Sequence, residues 1–238
     1  MIAKNKPDNP AAGGVAETAL VMVLWILMCT RYSQTFEVGA LMARFGAKQP
    51  SMPVRPSYNI SAGQNAAVIA GGVFKLLKWG FIPGWAGSEI KEGVTSARAE
   101  GITARPDLRT AFYKSRCLVP ADGFYEWAHT AGEKVPYRFE LRDKGLFGMA
   151  GVYDEATGTY AILTCLSNAL IKTVQHRMPV ILDKAGEKLW VDMRASNTEE
   201  LLPILRAYDS SLMHGYKVSA LVNSPEIDSP DCLKPLQP

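Results

Sequence analysis

From Cys117 to Cys165 the chain repeats one pattern: a short apolar run rich in aromatic and β-branched residues, then turn residues, then another run. The runs fall at Cys117 to Pro120, Gly123 to His129, Tyr137 to Leu141, Gly148 to Tyr153 and Tyr160 to Cys165. Upstream, Asn65 to Ile69 and Val73 to Trp79 flank Gly71-Gly72, a glycine pair suited to a tight hairpin. Between these runs come short helical stretches. Glu37 to Phe45 has helical spacing, and Pro50, Pro53 and Pro56 hold an extended connector after it. Pro106 opens a helix to Tyr113, Ser167 caps one toward Val174, and Asp183 caps another through Trp190. Thr198-Glu199-Glu200 opens a last helix to Tyr208, with Pro203 in its first turns. Strands in succession, without strict βαβ alternation, predict an α+β fold: an antiparallel barrel-like β-sheet with flanking short helices.

At 238 residues, 47% of them hydrophobic, the chain can fill one large core, and no Gly/Ser- or Pro-rich linker, low-complexity tract or internal repeat divides it. The formal charge of +3 permits a polyanionic partner without requiring one, so affinity for nucleic acid has to come from local clusters of Arg and Lys. The four cysteines, at 29, 117, 165 and 232, have no CxxC spacing, which argues against zinc and against a disulfide framework. They point instead to a reducing compartment, with Cys117 and Cys165 as buried small hydrophobes.

Cys29 is different, because it directly follows an internal methionine. If Met28 is the start and is removed, Cys29 carries a free α-amine beside its thiol. An aldehyde then meets two nucleophiles on one residue: the amine gives an imine, and sulfur closes on the imine carbon to give a thiazolidine. An α-amine titrates at about 7.7 to 8.0 against about 10.4 for lysine, so roughly a hundred times more of it is reactive at neutral pH. Residues 1–28 are thus read as an N-terminal extension to a domain over 29–238. Lys4, Lys6 and the apolar run Ala19 to Met28 resemble a signal peptide, but no small-residue cleavage site follows, and the run is too short to span a bilayer. Three accounts stay open: a start assigned upstream of the true one, a segment removed by processing, or a retained segment that abolishes this chemistry by making the Cys29 nitrogen an amide.

Further motifs give this cysteine a context. Arg55-Pro-Ser-Tyr-Asn59, Trp79-Gly-Phe-Ile-Pro-Gly-Trp85, Thr95-Ser96-Ala97-Arg98-Ala99-Glu100, Ala121-Asp122-Gly123-Phe124-Tyr125-Glu126-Trp127 and Gln175-His176-Arg177-Met178-Pro179 follow Cys29 in order. In sequence and spacing, from about residue 28 to about residue 233, the chain resembles the SRAP family, the SOS-response-associated peptidase domain. The resemblance implies capture of abasic sites in single-stranded DNA by a covalent crosslink through Cys29, with lyase and autopeptidase activity beside it. It implies a monomeric cytoplasmic protein, associated with the nucleoid on damage, with no cofactor, no metal and no membrane partner.

Residue by residue, Glu126 lies in an alternating strand pattern on the face of Phe124. A carboxylate there is either paired or used, and burial would raise its pKa toward a value useful for proton transfer. The resemblance makes it the proton shuttle, and makes His176 the group that helps open the deoxyribose ring. Arg31, Arg98 and Arg177 are candidates for phosphate contacts. Trp85 and Trp127 are candidates for stacking on bases, Trp79 reads as core, and Asn59 matches the family's Tyr-Asn asparagine. His129 and His214 match no motif and read as structural. Ser96 stands where the family usually has an active-site asparagine, and its hydroxyl has less hydrogen-bonding capacity than an amide. Two rival functions remain at this stage: a thiol peptidase built from Cys29, Glu126 and His176, which lacks a recognisable oxyanion hole, and a non-catalytic reader of nucleic acid that does not need Cys29.

Overall fold

The computed structural model describes residues 30–48, 53–87, 92–130 and 132–236. Its strands are β1 (Arg31–Gln34), β2 (Ser57–Ser61), β3 (Asn65–Ala70), β4 (Val73–Trp79), β5 (Ser96–Arg98), β6 (Arg116–Ala121), β7 (Gly123–Thr130), β8 (Glu133–Leu141), β9 (Phe147–Asp154), β10 (Thr159–Leu166), β11 (Arg177–Pro179), β12 (Ile181–Leu182) and β13 (Met213–Lys217). The helices are α1 (Val38–Phe45), α2 (Pro106–Lys114), α3 (Lys184–Val191) and α4 (Thr198–Leu201).

Two sheets form. One has the order β13-β8-β7-β1-β2, and the other β11-β10-β4-β3-β6-β9-β12, with β5 added to β10. In the second sheet β9 also pairs with β10, so β10, β4, β3, β6 and β9 close on themselves in an uneven ring. The fold is α+β, as the strand succession predicts, but it is not wholly antiparallel: β10 runs parallel to both β4 and β5. No tight hairpin joins those strands, so the direction of pairing is free. The predicted hairpin forms as read, with β3 running from Asn65↔Lys78 to Ala70↔Val73. Its turn glycines have φ of 60° and 75°, a conformation that side chains with a Cβ rarely adopt.

Two predicted helices are shorter than their sequence pattern. Pro203 has no N–H to donate, so α4 stops at Leu201 and a single 3₁₀ turn, Leu202–Ile204, follows it. After β10 there is one 3₁₀ turn, Ile171–Thr173. Ser167 does not cap it; the Ile171 N–H donates to Asn168 Oδ1 at 3.0 Å, three residues upstream. Asp183 does cap α3, accepting from Gly186 N–H at 2.7 Å.

One hydrophobic core is shared by both sheets and includes Trp79, Cys117 and Cys165. A small second cluster, Tyr125, Trp127, Val218 and Val222, lies between β7 and the C-terminal segment. Two buried arginines organise the frame. Arg116 donates to the carbonyls of Phe112, Tyr113, Trp190, Asp192 and Ala195, and so collects the open ends of α2 and α3 around one guanidinium. Arg138, on β8, passes over Gly123 of β7 to give Ser33 Oγ of β1 a hydrogen bond at 2.7 Å, and it pairs with Asp122 and Glu140.

A Cβ at position 123 would stand 2.4 Å from the Arg138 guanidinium carbon. Gly123→Ala should therefore force Arg138 from its place and cost about 1 to 3 kcal/mol or more. Urea denaturation checks this: an unchanged midpoint would show that Arg138 relaxes without loss.

Candidate active site

The N-terminal end of β1, the end of β2, and the β7–β8 hairpin enclose a cleft of about 390 Å3. Thr30, Arg31, Ser61, Ala62, Glu126 and Trp127 line it, with His129, Lys134, Gln175 and Pro225 at its edges. Cys29 lies outside the described residues, and Thr30, its covalent neighbour, is part of the cleft wall. β1 pairs with β7 in the register Arg31↔Tyr125, Tyr32↔Phe124, which brings the start of β1 beside Glu126.

Alternation along β7 divides its side chains. Phe124 enters the main core, whereas Tyr125 and Trp127 enter the second cluster. Glu126, on the Phe124 face, is only 2% exposed, which is costly for a carboxylate outside a site that uses or pairs it. Arg31 is half-buried, and its Nε donates to Asn59 Oδ1 at 3.2 Å and its guanidinium to Asn223 O at 3.2 Å. Loss of hydration lowers its pKa, though not to a range where it loses its charge.

Asn59 is buried, and its amide does two jobs. The oxygen orients Arg31, while Nδ2 donates to the carbonyls of Ser224 at 2.9 Å and Ile227 at 2.8 Å. It therefore ties the C-terminal segment to β2 at the cleft's edge.

The other sequence candidates are distributed differently. Trp85 is 72% exposed in the turn after β4, open for stacking. Trp127 is 6% exposed: its indole N–H donates to Asn223 Oδ1 at 2.7 Å, and the Lys134 ammonium sits 4.6 Å from its ring centroid. The ring is a wall of the cleft, with a cation where a stacked base would lie. Ser96 and Arg98 lie on β5, registered against Ile162 and Thr164 of β10; Ser96 is half-buried and Arg98 exposed.

Arg177, a candidate for phosphate contact, is buried and donates to Glu100 at 2.7 Å and to the Thr164 carbonyl at 2.7 Å. Burial is the largest single influence and opposes the Glu100 charge, but the Arg177 hydrogen bond and charge together with backbone N–H donors outweigh it and hold that carboxyl below its usual range, so the pair is charged at neutral pH. His176 is exposed, and its backbone N–H donates to the side chain of Gln175, which lines the cleft.

Sequence reading missed Asn223, Pro225 and Lys134, and assigned His129 a structural role although it is exposed at the cleft edge. For His129 a signal existed, since it is two residues from Trp127 on one strand and shares its face. Asn223 and Pro225 carry no local signal; only the return of the C-terminal segment brings them here. A larger depression of about 570 Å3 lies between α3 and residues 203–212, but its carboxylates Asp183 and Asp209 are both occupied in capping N–H groups. Among the described residues no three His, Cys, Asp or Glu side chains group as metal ligands would, and no helix is long and apolar enough to cross a membrane.

The family model for SOS response associated peptidase (SRAP) matches residues 28–225. The chain belongs to the SRAP family. It is 35% identical over 222 residues to the abasic site processing protein YoqW of Bacillus subtilis, covering 87% of this chain and 99% of that one. It is 30% identical over 194 residues to the abasic site processing protein HMCES of Gallus gallus, covering 68% of this chain and 57% of that one. Among solved structures, a Bacteroides thetaiotaomicron protein superposes with a TM-score of 0.79 at 27% identity, covering 88% of this chain and all of the other. The fold of this SRAP chain is thus the one its sequence motifs imply.

Burial raises the Cys165 thiol to about 12 and the Cys117 thiol still further, and Cys232 is fully buried. Iodoacetamide at pH 8 should therefore leave these three intact in the folded protein and modify Cys29 alone. Peptide mass mapping before and after denaturation checks it.

Proposed function

We propose that this protein captures abasic sites in single-stranded DNA by a covalent thiazolidine formed through Cys29 as the N-terminal residue. The observation that carries the reading is the cleft itself, which has Thr30, adjoining Cys29 in the chain, and the buried Glu126 in one wall. The abasic-site processing named for the YoqW and HMCES relatives supports it.

The chemistry balances without a cofactor. The Cys29 amine adds to the aldehyde carbon of the ring-opened deoxyribose, the carbonyl electron pair moves to oxygen, and loss of water gives the imine. The thiol then loses its proton, sulfur adds to the imine carbon, and the imine nitrogen takes up a proton. One water is released overall, and nothing is oxidised or reduced. Every step moves a proton, which is the work of a carboxyl group held out of bulk water; Glu126 takes and returns these protons in this reading. His176, next to Gln175 at the cleft edge, assists ring opening. Arg31 and Arg98 contact phosphates, and Trp85 stacks on a base. Ser96 offers a hydroxyl for the amine or thiol. Residues 1–28 are absent or removed in the active protein, because an amide nitrogen forms no imine.

Protein beginning at Cys29, mixed with single-stranded DNA carrying an abasic site, should give a heat-stable adduct, and Cys29→Ala should give none. An equally stable adduct in that mutant, or on a chain whose intact mass retains residues 1–28, would show another nucleophile at work.

Proton-transfer and binding roles separate in kinetics. Glu126→Gln and His176→Ala should bind undamaged single-stranded DNA nearly normally but crosslink about a hundred- to ten-thousandfold more slowly. Arg98→Ala should bind weakly and lose about one unit or less of the slope of log affinity against log salt. Single-turnover rates and salt titrations check both, and normal crosslinking by both Glu126→Gln and His176→Ala would refute the assignment of these groups.

A further inference from the structure

Residues 218–236 cross the open edge of β2 and end beside β13, where Leu236 N–H donates to Lys217 O at 2.9 Å. This strap is latched along its length. Asn59 Nδ2 holds the carbonyls of Ser224 and Ile227, and Asp228 Oδ1 accepts the backbone N–H groups of Tyr58 and Asn59. Gln64 Nε2 donates to Pro225 O at 3.3 Å. Within the strap, Val222 and Cys232 are buried.

At the cleft the strap presents one residue to both walls. Asn223 O accepts from the Arg31 guanidinium at 3.2 Å, and Asn223 Oδ1 accepts from the Trp127 indole N–H at 2.7 Å. Arg31 lies on β1 and Trp127 on β7, so one exposed strap residue fixes a cation and an aromatic wall on neighbouring strands. A long arginine side chain loses several rotors when held, and a partner that has already fixed it spares DNA that ordering cost.

We propose that Asn223 is a positioning residue for DNA binding: its main-chain carbonyl orients Arg31 and its side chain fixes the Trp127 wall of the cleft, from a strap that Asn59 latches. The inference rests on the abasic-site reading above and adds to it the C-terminal strap as part of the binding machinery. It commits to an effect on binding more than on chemistry, since the groups that Asn223 holds are the Arg31 guanidinium and the Trp127 indole of the cleft walls.

The test is single-turnover crosslinking of abasic single-stranded DNA at varied DNA concentration, with protein beginning at Cys29 and its Asn223→Ala and Asn223→Asp variants. In Asn223→Ala the half-saturating DNA concentration should rise about five- to tenfold, the loss expected for one positioning hydrogen bond, with the limiting rate falling less than about twofold. Near-ultraviolet circular dichroism should change at the tryptophan bands in Asn223→Ala and stay close to that of the unaltered protein in Asn223→Asp, which keeps an acceptor for the indole. Asn223 is exposed, so the thermal midpoint should move little in either variant. A strap variant, Asn59→Asp, keeps the acceptor for Arg31 but loses the donors to the strap, and should also raise half-saturation. Unchanged half-saturation in Asn223→Ala, or a fall confined to the limiting rate, overturns the positioning role while leaving the crosslink intact. Absence of any adduct with the unaltered protein overturns the proposed function, and the positioning role with it.

Discussion

A buried guanidinium decides how the cleft is built. Arg138 is nearly inaccessible, and a charge in that position is tolerable only if acceptors surround it. They do: Ser33 Oγ, Asp122, Glu140 and the Tyr125 hydroxyl all lie within reach, and Ser33 and Thr35 in turn donate to Asp122. The acceptors come from β1, β7, β8 and the β6–β7 junction, so satisfying one cation fixes the relative position of three strands. Nearby charges, Asp122 chief among them, outweigh desolvation and raise its pKa, so the ion stays charged and the network stays closed. β1 has only four residues, and it pairs with β2 on one side and β7 on the other. The Ser33 hydrogen bond adds a side-chain tie to the strand whose other end leads to Cys29.

That anchoring explains a glycine inside a strand. Gly123 has no conformational need of its own, since its φ is not in the left-handed region; what it lacks is a Cβ, and Arg138 occupies that space. Three residues later the same strand delivers Glu126. The spacing in Asp122-Gly123-Phe124-Tyr125-Glu126-Trp127 therefore combines a charge partner, a gap for the guanidinium, two core aromatics facing opposite ways, the buried carboxylate and the cleft wall. Alternation with period two lets a segment this short serve both the core and the site.

The parts of the fold legible in the sequence are those with local causes. The β3–β4 hairpin follows from alternation and a glycine pair, α2 from its opening proline, and α3 from the Asp183 cap. β1 and β2 were not legible, because Ser33, Gln34 and Asn59 are polar residues buried by distant partners. Gln34 reads as a loop residue, yet its amide bonds the carbonyls of Ala67 and Pro120. The site shows the same division. Cys29, Glu126 and His176 stand in recognisable motifs, whereas Asn223 joins the cleft through a strap whose position depends on Asn59, some 160 residues earlier in the chain. Hydrogen bonds over such separations leave no periodicity to read. Arg177 also stands in a clear motif, but its Glu100 partner lies where only the folded chain reveals it.

Charge placement ties these points to function. With a formal net charge of only +3, attraction for a polyanion depends on which cations are left uncompensated. Arg138 and Arg177 are neutralised by carboxylates, and Arg116 is enclosed by carbonyls. Arg31 differs from all three: its partners Asn59 and Asn223 orient it without cancelling its charge. A cation held by neutral acceptors at the edge of a cleft keeps its field available to a phosphate and has already lost the rotamer freedom that binding would otherwise remove. An amide oxygen and a main-chain carbonyl there, in place of a carboxylate, leave the Arg31 charge uncompensated, whereas Arg177 is paired with the Glu100 carboxylate.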